Sequence, residues 1–214
     1  MMPAARRSPI RVVYLDSHRL IRQGISLILE QDPDIHITGT AGSGEEAIQQ
    51  YIRDRPDLVI MDIQLDIGMG GVDAIRVIRT IDPRARILVL TLLRGDQDVR
   101  AAINAGAAAY LLKDVEPQDL IAAVHKVVQG KSVLPEGLAA ELSTKSGQPQ
   151  LTPRQLSVLE LIASGHRNKE IAASLGCSEG TVHNHVKQIL HRLGVADRNA
   201  AVTMAIRRGI IHVT

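Results

Sequence analysis

Four polar side chains close what read as β-strands in the first half of the chain. Asp16 follows Ile10–Leu15, Asp62 follows Asp57–Met61, Thr91 ends Ile87–Thr91, and Lys113 follows Ala107–Leu112. Two carboxylates, a hydroxyl and an ammonium brought to one place outline a phosphoryl-transfer site. A carboxylate can attack phosphorus and form an acyl phosphate, and Asp62 suits that role. Asp16 suits a hard cation, which takes oxygen ligands and offsets the charge of the incoming phosphate. Lys113 would pair with phosphate oxygens as a point charge, and Thr91 would donate a hydrogen bond to the added group.

These residues meet only if the strands ahead of them run side by side in one direction. From Ile10 onward the chain alternates strand-like and helix-like segments five times. Leu20, Ile21, Ile25, Ile28 and Leu29 recur at helical spacing. Ile35–Thr38 is the second strand, and the helix Glu45–Arg53 is closed by Pro56. Val72–Ile81 stops before Pro83, Gln97–Asn104 stops at Gly106, and Pro117–Val128 has proline in its first turn and Gly130 beyond its end. Such alternation implies an α/β domain with a five-stranded parallel sheet, wound on both faces by helices. Ligands on these sheets bind at the carboxyl ends of the strands, near the switch in strand order.

Met61-Asp62-Ile63, Leu90-Thr91, Ala105-Gly106-Ala107, Tyr110-Leu111-Leu112-Lys113-Asp114, and Asp16 with His18 two residues on resemble the receiver domain of two-component response regulators. The resemblance covers about Ile10–Gly130 and implies a flavodoxin-like fold. It also implies phosphorylation of Asp62, and Mg²⁺ held by Asp16, Asp62 and the backbone carbonyl of Gln64. Tyr110 falls at the family's switch aromatic, which turns inward once the threonine hydroxyl is drawn to the phosphate. From residue type alone, Tyr110 is a half-buried strand aromatic.

Two positions depart from the family. Ser17 stands where a second acid normally touches the metal directly, and the loop Leu65–Gly71 lacks the usual proline and carries an extra residue. Asp66 in that loop is either a solvated acid or a substitute ligand. The departures leave open a receiver that works without phosphate. A phosphohydrolase of the haloacid-dehalogenase kind would want an acid two residues after Asp62, where the sequence has Gln64.

The second half is organised differently. Asn168–Leu175 reads as a short helix stopped by Gly176, which takes a left-handed cap without penalty. Ser178 stands at an N-cap, its hydroxyl placed to accept an N–H near Thr181. Val182, Val186, Ile189, Leu190 and Leu193 then form one aliphatic stripe. Asn184, Lys187, Gln188 and His191 lie opposite, with His183 and His185 at the flanks. This is the pattern of a helix-turn-helix whose second helix enters the major groove. Ahead of it, Thr152 would cap a helix with Pro153 in its first turn and Leu156, Leu159 and Ile162 or Ala163 inside. After it, Asn199 would cap a helix Ala200–Arg208, leaving Val202, Ala205 and Ile206 for a partner.

Leu151-Thr152-Pro153-Arg154-Gln155, Val158-Leu159, Ala163-Ser164-Gly165, Asn168-Lys169-Glu170-Ile171-Ala172, Ser178-Glu179-Gly180-Thr181-Val182, His185-Val186, Leu193-Gly194-Val195 and Asp197-Arg198 resemble the LuxR-type four-helix DNA-binding domain. The whole chain therefore looks like a NarL/FixJ-class regulator: receiver at 1–130, linker with one short helix at 131–150, all-α helix-turn-helix domain at 151–214. In that reading Asn184 and Lys187 face base edges with His183, where related domains more often have lysine, beside them. Lys169, Thr181 and Gln188 contact phosphates, which orient without specifying sequence. The resemblance implies double-stranded promoter DNA, a sensor histidine kinase, a homodimer formed through the last helix, and RNA polymerase as partners.

Charge and composition agree with this division. Residues 1–130 hold 15 Lys and Arg against 17 Asp and Glu, and residues 151–214 hold 8 against 4. The basic excess thus sits on the segment expected to meet a polyanion. Tyr14, Tyr51 and Tyr110 are the only aromatics, so the basic segment has no ring on which an unpaired base could stack. That favours duplex DNA over single strands. Cys177 is the sole cysteine, which excludes an internal disulfide and fits a reducing cytoplasm. No apolar run is long enough to cross a bilayer, and Arg6-Arg7 do not head a signal peptide.

Overall fold

The computed structural model describes residues 8–65, 68–135 and 151–212. The sheet with its helices forms one compact unit and the last four helices another. Asp66 and most of the linker helix expected within Leu134–Leu142 lie outside the described residues.

The first unit runs β1 (Ile10–Leu15), α1 (Arg19–Leu29), β2 (Ile35–Ala41), α2 (Gly44–Asp54), β3 (Leu58–Met61), α3 (Gly71–Ile81), β4 (Ile87–Thr91), α4 (Asp96–Ala105), β5 (Ala109–Leu112) and α5 (Pro117–Val128). All strand pairs are parallel, in the order β2-β1-β3-β4-β5. The order reverses direction between β1 and β3, so the crevice where ligands gather opens at their carboxyl ends. Val12, Tyr14, Leu58, Ile60, Leu88 and Leu90 lie on one face of the sheet, packed with Leu120, Val124 and Val127 of α5. β3 and β4 are buried along their whole length, as strands covered on both faces must be.

Three strand ends differ from the sequence expectation, β3 starting at Leu58 rather than Asp57. β2 continues to Ala41, because an edge strand tolerates the polar, partly exposed run Thr38–Thr40. β5 begins at Ala109 rather than Ala107. Gly106 adopts φ 112° and Ala107 N–H closes α4 on the Ala102 carbonyl at 3.0 Å, so Ala107 belongs to the helix end.

The second unit comprises α6 (Pro153–Ala163), α7 (Asn168–Leu175), α8 (Glu179–Leu193) and α9 (Arg198–Arg207). Its core is Val158, Leu159, Ile162, Ile171, Ala172, Val182, Ile189, Leu193, Ala201, Ala205 and Ile211. Thr152, Gly176 and Ser178 cap as expected, with Gly176 at φ 62° and Thr181 N–H donating to Ser178 Oγ at 3.1 Å. Three details are corrected. Val158 rather than Leu156 faces inward on α6. Asp197, not Asn199, caps α9, its Oδ1 accepting from Asn199 N–H (2.8 Å) and Ala200 N–H (2.9 Å). Ala205 is buried in the domain's own core, leaving Ile206 as the exposed apolar residue of that face. Among the described residues, no helix is long and apolar enough to cross a membrane.

Candidate functional site

Strand register brings the sheet-mouth residues together. Leu15 pairs with Met61 and Met61 with Val89, so Asp16 and Asp62 step off adjacent strands side by side. The ladder extends one residue further at each end: Asp62 N–H donates to the Leu15 carbonyl (2.9 Å) and Lys113 N–H to the Thr91 carbonyl (2.9 Å). Lys113 Nζ then lies 2.5 Å from Asp62 Oδ2 and 2.7 Å from Asp16 Oδ2, with all three side chains almost wholly buried. Asp62 Oδ1 accepts the Gln64 backbone N–H at 2.9 Å. A Cβ at Gly71, which opens α3, would collide with the Asp62 carbonyl oxygen and the Ile63 Cα. Glycine there lets α3 press close behind the acid.

Asp16 is more fully engaged than its position at a strand end suggests. Its Oδ1 accepts His18 N–H at 2.8 Å, and its Oδ2 accepts the Tyr14 hydroxyl at 2.8 Å. Burial, with the Asp16 charge and hydrogen bond adding, pushes the Tyr14 phenol far above its usual range and keeps it an O–H donor. Arg22 Nη1 donates to the carbonyls of Asp16 and Ser17. Ser17 Oγ lies 3.2 Å from His18 Nδ1. Nothing in the sequence marks Tyr14, since an aromatic in a buried strand usually belongs only to the core.

Thr91 is fully buried, and its Oγ1 accepts Leu93 N–H at 3.4 Å. The Tyr110 ring is 2% exposed, buried rather than half-buried, with its hydroxyl donating to the Leu93 carbonyl at 2.9 Å.

Two acids turned onto one ammonium make a pocket shaped to share a single positive charge. His18 Nδ1 lies 3.6 Å from Asp16 Oδ1, but among the described residues no three His, Cys, Asp or Glu are grouped to hold a metal. A cation that keeps most of its water needs only one or two carboxylates, so this donor set fits Mg²⁺.

On the second unit, Lys169, Thr181, His183, Asn184, Lys187 and Gln188 are all exposed. His185 is half-buried, with its Nδ1 out of solvent. Gln155, buried on α6, was not anticipated as part of this face. Its Oε1 accepts Thr152 N–H (3.0 Å) and its Nε2 donates to Gln188 Oε1 (2.9 Å). The Thr152/Gln155 spacing is a capping-box signature that could have flagged it. Arg154 and Arg198 spend their guanidiniums on the Leu175 carbonyl (2.5 Å) and the His166 carbonyl (2.8 Å).

Comparison with known proteins matches the two units separately. The response regulator receiver domain family matches residues 12–125, and the luxR family of bacterial regulatory proteins matches residues 149–205. The nitrate/nitrite response regulator NarL of Escherichia coli K12 is 34% identical over 203 residues, spanning 91% of this chain and 94% of NarL. Response regulator VraR of Staphylococcus aureus NCTC 8325 is 35% identical over 208 residues, 95% of this chain and 99% of VraR. A solved structure of two RcsB dimers bound to two parallel DNAs aligns with a TM-score of 0.64 at 25% identity, covering 94% of this chain and 99% of that one.

Proposed function

The chain belongs to the response regulators that join a receiver to a LuxR-type DNA-binding domain, and from that premise we propose that Asp62 is its phosphoacceptor. The observation that supports this most is the Lys113 ammonium seated between Asp62 and Asp16 at the mouth of the parallel sheet. An Asp62 oxygen attacks phosphorus, and the new O–P bond forms as the P–N bond of a sensor kinase's phosphohistidine breaks. The imidazole leaves. Lys113 then pairs with phosphoryl oxygens, and Thr91 donates its hydroxyl hydrogen. Mg²⁺ held by Asp16, Asp62 and the Gln64 carbonyl supplies charge neutralisation when bound. Tyr110, bonded to the β4–α4 connection through Leu93, links the backbone beside Thr91 to β5.

The phosphorylated state alters pairing of two copies and their hold on promoter DNA. Asn184 and Lys187 read base edges with His183 beside them, while Lys169, Thr181 and Gln188 hold phosphates. With Mg²⁺ and acetyl phosphate, intact mass rises by one phosphoryl group. Neither Asp62→Asn nor an EDTA-treated sample gains it. Ser17, a neutral residue in an acid's place, favours a second reading in which the receiver acts without phosphate. A wild-type chain that stays at its unmodified mass overturns the first reading in favour of the second.

A further inference from the structure

We propose that Tyr14 is a positioning residue that occupies Asp16 and keeps the Mg²⁺ affinity of the phosphoacceptor pocket low. This deepens the reading of Asp16 and Asp62 as a cation site and rests on it. A carboxylate offers about four lone-pair positions. His18 N–H takes one on Oδ1, and Tyr14 and Lys113 take both on Oδ2. A metal approaching Oδ2 must displace one of the two.

The donors differ in how readily they yield. Lys113 has Asp62 beside it and turns to that acid without losing a partner. Tyr14 sits at zero exposure one residue before the end of β1, so its hydroxyl has no water to turn to. A buried donor left unpaired is costly, and the hydroxyl therefore stays on Asp16. An aliphatic side chain at this place in the strand would leave that lone pair open. Ser17 acts in the same direction by withholding a charge. The retained hydroxyl draws negative charge from the very oxygen a metal reaches once Lys113 turns to Asp62, and with one acid fewer beside it the pocket binds Mg²⁺ weakly.

Calorimetric Mg²⁺ binding to the full chain, without phosphodonor, tests this. Tyr14→Phe is expected to bind Mg²⁺ about fivefold more tightly than wild type. Tyr14→Leu should change in the same direction, which keeps the test open if one variant folds poorly. Adding Asp16→Asn to Tyr14→Phe should erase the gain. Unchanged or weaker binding in both Tyr14 variants overturns the proposal, as does a gain that survives loss of Asp16 or an absence of Mg²⁺ binding in every variant. The mass gain of wild type with acetyl phosphate is read separately. A labelled wild type with unaltered Tyr14→Phe affinity sinks the role of Tyr14 and leaves Asp62 standing, and the converse result does the opposite.

Discussion

Removing the Lys113 ammonium leaves Asp16 and Asp62 facing each other inside the protein with no cation between them. Lys113→Met is therefore expected to cost about 3–5 kcal/mol, the usual penalty for orphaning one side of a buried ion pair. A lowered urea midpoint at neutral pH checks it. Adding Asp62→Asn should recover part of the loss, since one of the two stranded charges is gone. Asp16, Asp62, Thr91 and Lys113 were legible in the sequence because a polar residue ending an aliphatic strand has few structural reasons to be there. Tyr14 was not, because its function lies in one oxygen at the end of a ring whose carbon atoms pack like any other core aromatic. Ser17 was legible only as a departure from the family.

Elements hold these residues through their ends. The turn after α1 is tied to α5 where His125 Nε2 meets Asp32 Oδ2 at 2.9 Å. That hydrogen bond first, then the Asp34 backbone N–H, holds the Asp32 carboxyl below its ordinary range. An acid depressed on folding adds stability above its unfolded value, near 3.8, and loses it as pH falls through the folded value. His125→Ala should therefore unfold at lower urea than wild type at pH 6, with the gap closing below pH 4. Periodicity placed every helix of both units, and the disagreements fell at their boundaries. Asp197 and Asn199 are both good N-caps two residues apart. Only the fold shows that Asp197 reaches the two free N–H groups. On α6, Val158 and the polar Gln155, not Leu156, turn toward the core, a choice that aliphatic spacing alone does not make.

At the scale of the whole molecule, formal charge overstates what the basic unit can offer a duplex. Arg154 and Arg198 are committed to carbonyls of their own domain, while Lys169 and Lys187 remain on the exposed face. Lys169→Ala should weaken binding to every duplex alike and lower the slope of log K against log salt by about one. Lys187→Ala should instead cost about 1–3 kcal/mol on the preferred site and abolish selectivity. Fluorescence anisotropy across a salt series separates the two, and full selectivity in Lys187→Ala would count against its placement.

The amide chain from Thr152 has a direction. A backbone N–H can only donate, so Gln155 must present its oxygen to Thr152 and its nitrogen to Gln188, which in turn meets that nitrogen with its own oxygen. Gln188 is thereby left showing its NH₂ end outward, the end that suits an anionic oxygen. A glutamate at 155 has no hydrogen to give. Gln188 would have to rotate half a turn to satisfy it, exchanging a donor for an acceptor on the outer surface. One hidden amide, a whole helix away, thus sets the polarity of a group at the surface.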